Sequence, residues 1–129
     1  PGQAFFFASE LGPQADELWQ SDGTPEGTKM AVDACKDPGC GGATGADDIG
    51  FLNGKVYFSA SSTAPSGANS GSNQLWQYDP ATGVGRQFKQ LRAGMGSPDG
   101  YARGFAQLGN DLMFVANDGT ALLNRLWKL

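Results

Sequence analysis

Histidine is absent from the chain. That removes the commonest general base, the Ser-His-Asp triad, the Cys-His dyad and every zinc site that needs imidazole. What remains for chemistry is two cysteines, a scatter of carboxylates and three tryptophans. Cys35 and Cys40 bracket Lys36-Asp37-Pro38-Gly39. They read either as a redox or metal pair or as a short disulfide closing a loop. Two thiols alone do not complete a four-ligand zinc site, and C-x-x-C redox chemistry needs a closer spacing. The expectation is the disulfide, worth about 2 kcal/mol or less for so short a loop. It fits an oxidising compartment.

Carboxylates offer two chemistries. Asp22-Gly23, Asp99-Gly100 and Asp118-Gly119 could supply calcium oxygens, joined by the adjacent pair Asp47-Asp48. Calcium takes six to eight oxygens at set spacing, and no D-x-D-x-D-G pattern is present. Asp-Gly is also ordinary turn chemistry. No cofactor is therefore expected, with Ca²⁺ the one candidate and Asp22, Asp47 and Asp48 its candidate ligands. Glu10, Asp16, Glu17 and Glu26 could furnish the carboxylate pair of a glycoside hydrolase. Nothing in their spacing singles out a pair, so no enzymatic role is expected. Trp19, Trp76 and Trp127 could stack on sugar rings; the competing reading is packing between sheets.

These residues need elements to hold them. Glycine numbers 20 of 129 residues, aromatics make up 11% and charged residues only 17%. Such a chain has the makings of a core and many turns, and it lacks the polar bias of disorder. Net charge is −4 with no basic patch, so nucleic acid is not an expected partner. No run approaches the ~18 apolar residues of a membrane-spanning helix.

The chain resembles itself. Phe5-Phe6-Phe7-Ala8-Ser9, Val56-Tyr57-Phe58-Ser59-Ala60 and Leu112-Met113-Phe114-Val115-Ala116 are three versions of one apolar run. With Phe7, Phe58 and Phe114 equivalent, the run recurs after 51 and 56 residues. A Leu-Trp pair follows each: Leu18-Trp19, Leu75-Trp76 and Leu126-Trp127. All three tryptophans share this slot. Asn53-Gly54 and Gly109-Asn110 are two-residue hairpin signals. The polar turns at 21–28 and 79–83 are rich in residues that favour reversal. One repeat thus reads as four short antiparallel strands in about 51 to 57 residues, the size of a propeller blade.

The stretch Glu17-Leu18-Trp19-Gln20-Ser21-Asp22-Gly23-Thr24-Pro25-Glu26-Gly27-Thr28 fills all nine fixed positions of E-L-W-x-[ST]-D-G-T-x-x-G-T. It resembles the bacterial hyalin-like β-propeller repeat family that carries this motif. Tyr78-Asp79-Pro80-Ala81-Thr82-Gly83 departs from it and is similar to the Y-D-P-x-T-G turn of kelch-like propellers. The resemblance implies an extracellular, cell-surface or periplasmic location and a binding or structural role. It carries over no catalytic residue.

The expected fold is all-β: a partial β-propeller of four-stranded antiparallel blades, ten strands in about two and a half blades. Residues 1–46 would form a blade lacking its innermost strand, 47–102 a complete blade, and 103–129 a blade lacking its outermost strand. Propellers close on four to eight blades, so the expected partners are the remainder of the same propeller or other protein chains, and glycans. The expected function is a non-catalytic surface scaffold for protein or glycan binding or assembly. Alternatives are a lectin propeller using Trp19, Trp76 and Trp127, a subunit of an extracellular filament or layer, and, last, part of a glycoside hydrolase propeller. The polar, low-complexity stretch 61–72 would form a long exposed loop.

Overall fold

The computed structural model describes residues 2–10, 16–34, 48–61, 73–89, 91, 102–117 and 124–129. These form ten strands and no helix. In chain order they are β1 (Ala4–Ala8), β2 (Glu17–Ser21), β3 (Lys29–Val32), β4 (Ile49–Leu52), β5 (Lys55–Ala60), β6 (Gln74–Asp79), β7 (Val84–Lys89), β8 (Arg103–Leu108), β9 (Asp111–Asn117) and β10 (Asn124–Lys128). Every neighbouring pair is antiparallel. The sheets run β1-β2-β3, β4-β5-β6-β7 and β10-β9-β8. No helix among the described residues is long and apolar enough to cross a membrane.

Turn chemistry explains the hairpins. Asn53 and Gly54 both adopt positive φ, 50° and 74°, the requirement of a type I′ turn that matches strand twist. Between β8 and β9 only Gly109 has positive φ, 61°, the pattern of a type II′ turn, which also matches strand twist. Strand alternation then sorts side chains to two faces of each sheet. We call the face bearing the tryptophan the front and the face bearing the preceding leucine the back.

Register corrects one expectation. Phe58 pairs with Trp76 and Phe114 with Trp127, but Trp19 pairs with Phe6, not Phe7. The equivalent residues are therefore Phe6, Phe58 and Phe114, followed two places on by Ala8, Ala60 and Ala116. Three consecutive phenylalanines contain no alternation, so only the cross-strand partner decides which one faces front. A register irregularity recurs too: it falls between Leu18 and Trp19 against β3 and between Leu75 and Trp76 against β7.

The three sheets stack, with the four-stranded one in the middle. Leu18 and Val32 on the back of the first sheet pack with Val56, Phe58, Ala60 and Tyr78 on the front of the middle sheet. Leu52, Tyr57 and Leu75 on the back of the middle sheet pack with Leu112, Phe114 and Ala116 on the front of the third. Two glycines permit this closeness. A Cβ at Gly85 would meet Val32 of the first sheet at 2.5 Å, and one at Gly50 would meet Phe105 of the third at 2.7 Å. Phe58 and Phe114 are fully buried, each contributing roughly 1.5–3 kcal/mol of transfer free energy.

Candidate functional site

The tryptophans occupy one slot in three sheets and are not gathered at one place. Trp76 lies beside Phe58, ring centroids 6.4 Å apart, under the cover of the first sheet. Trp127 stacks on Phe114 at 6.2 Å and 16°, against the middle sheet. Its indole N–H donates to the Ala116 carbonyl at 3.3 Å, and the Lys89 ammonium sits 4.9 Å above its ring. Trp19 differs. It lies on the front of the first sheet, paired across strands with Phe6 and Met30, and no described sheet covers that face. Phe6 is 37% exposed. The buried indole N–H groups of Trp19 and Trp76 have no hydrogen-bond partner among the described residues.

Asp22 belongs to a self-contained turn. Its Oδ1 accepts from the Thr24 backbone N–H at 2.9 Å and from the Thr24 hydroxyl at 2.7 Å. Those hydrogen bonds, the hydroxyl first, hold its carboxyl below the ordinary value. The Thr24 hydroxyl accepts from Gly27 N–H at 3.0 Å, and Thr28 donates to the Thr24 carbonyl at 2.7 Å. Ser21 and Thr28 hydroxyls lie 2.7 Å apart, and Ser21 Oγ accepts from Gly23 N–H. Gly23 has φ 92°, and a Cβ at Gly27 would overlap the Asp22 carboxylate. Each fixed position of the turn half of the motif thus has a steric or hydrogen-bonding task.

Asp48 lies apart from that turn, at the start of β4, where its Oδ2 accepts from Gly104 N–H at 2.6 Å and joins the middle sheet to the third. Among the described residues no group of three or more metal-ligating side chains comes together. Asp47, Cys35 and Cys40 lie outside the described residues, as do Asp99 and Asp118. Glu17, weighed as a glycosidase carboxylate, is buried, and its Oε2 accepts from the Ala34 N–H at 2.9 Å. Gln74, its counterpart in the middle sheet, does the same for Leu91 N–H at 2.6 Å. Glu10 and Glu26 are exposed and Asp16 is half-buried.

The Y-D-P-x-T-G turn is built on Asp79. Its Oδ2 accepts from the Lys55 ammonium at 2.6 Å and its Oδ1 from Ala81 N–H at 3.0 Å. The Lys55 contact is the main cause holding its carboxyl below the ordinary value. Gly83 closes the turn at φ 71°.

Sequence reasoning passed over a set of side-chain polar contacts, one of which joins two sheets. The Tyr78 hydroxyl donates to Gln20 Oε1 at 2.7 Å, tying middle sheet to first. Gln77 Nε2 donates to the Tyr57 hydroxyl at 2.8 Å, and Arg86 donates to Gln77 Oε1 at 3.3 Å. Burial, then the nearby Asp79 charge, pushes the Tyr78 hydroxyl up. The available signal was the Trp-Gln dipeptide, present at 19–20 and again at 76–77. Compared with known proteins, the chain matches no family model, no curated sequence and no solved structure.

Proposed function

We propose that the chain is a sector of a β-propeller and acts as a non-catalytic, extracellular or cell-surface scaffold for binding and assembly. One observation carries the reading. Three successive sheets repeat the Phe–Trp cross-strand pairing, the first two share a register irregularity just before the Trp, and both junctions set a leucine face against a tryptophan face. Stacking of equivalent sheets is how propeller blades bury their faces. Two of the candidate side chains support it further: Asp22 closes a turn, and Glu17 caps a buried N–H. Low-resolution imaging of the protein particle tests the reading. Radially arranged sheets around an axis are the expected result; a flat, parallel stack overturns it. The extracytoplasmic part has its own check. Intact mass after alkylation, with and without reductant, should show Cys35 and Cys40 blocked until reduced.

A second reading, glycan binding, is favoured by the pairing of half-buried Trp19 with exposed Phe6 on a face that no described sheet covers. Aromatic faces stack on sugar rings. A glycan array compared between the native chain and Trp19→Ala decides it: retained or absent signal in both removes Trp19 as the sugar platform.

A further inference from the structure

We draw no further inference here: the strongest candidate, the patch on β7 where the Arg86 guanidinium lies over the Phe88 ring and the Lys89 ammonium over Trp127 of the third sheet, carries nothing, because nothing in the structure shows what covers that face of the strand.

Discussion

Leu18, Leu75 and Leu126 occupy one slot, and burial separates them. Truncation should separate them too. Leu18→Ala and Leu75→Ala each remove a fully enclosed side chain, and about 2–5 kcal/mol of stability should go with it. Leu126→Ala, measured in dilute solution, should stay within roughly 0.5 kcal/mol of the native chain. Chemical denaturation of the three variants checks this, and equal losses at all three positions refute the stacking order. The titratable residues make a second expectation. Asp22 and Asp79 are depressed by the hydrogen bonds they accept from Thr24 and Lys55. Their stabilisation is complete above the unfolded carboxylate range, about pH 4, and is lost as pH falls through their lowered folded values. Tyr78 is raised by burial and by Asp79. Its contribution is complete below about pH 10 and is lost as pH rises through its folded value. The melting temperature should therefore fall on both sides of that window. Asp79→Asn should flatten the acid side and Tyr78→Phe the alkaline side; unchanged limbs in both variants count against these assignments.

At the scale of elements, the sheets meet where glycine permits. Gly50 and Gly85 leave no room for a side chain against Phe105 and Val32. Gly50→Val and Gly85→Val should each lower stability by about 1–3 kcal/mol through overpacking, read from the midpoint of denaturant unfolding. A neutral result at both would mean the sheets lie farther apart. Neither glycine announces itself in the sequence, because close approach depends on what a different sheet brings opposite. The strands themselves were legible. Asn53-Gly54 and Gly109-Asn110 mark hairpins through their backbone needs, and the recurring Leu-Trp pair places the third strand of each set. Phe6 was not legible, since Phe5, Phe6 and Phe7 are chemically identical and only pairing to Trp19 selects one. Nor were the Gln20–Tyr78 and Gln77–Tyr57 bonds, which join polar residues from separate strands, the first across two sheets. Glu17 read as an available carboxylate because a buried backbone N–H waiting for it, at Ala34, leaves no trace in sequence.

Across the whole molecule, protection is unequal. The middle sheet is covered on both faces, whereas β8 and β10 are largely exposed. Regions with few buried contacts open first. Hydrogen exchange should accordingly be slowest in β5 and β6 and faster in β8 and β10; uniform protection would instead mean a single cooperative unit with no weaker end. The β2–β3 reversal has a consequence of another kind. Its polar groups satisfy one another, and the side chains of Pro25 and Glu26 at its tip take no part in that closure. Those two letters can be rewritten while the spelling around them stays intact. The reversal can therefore vary what it displays at its tip without changing how it closes.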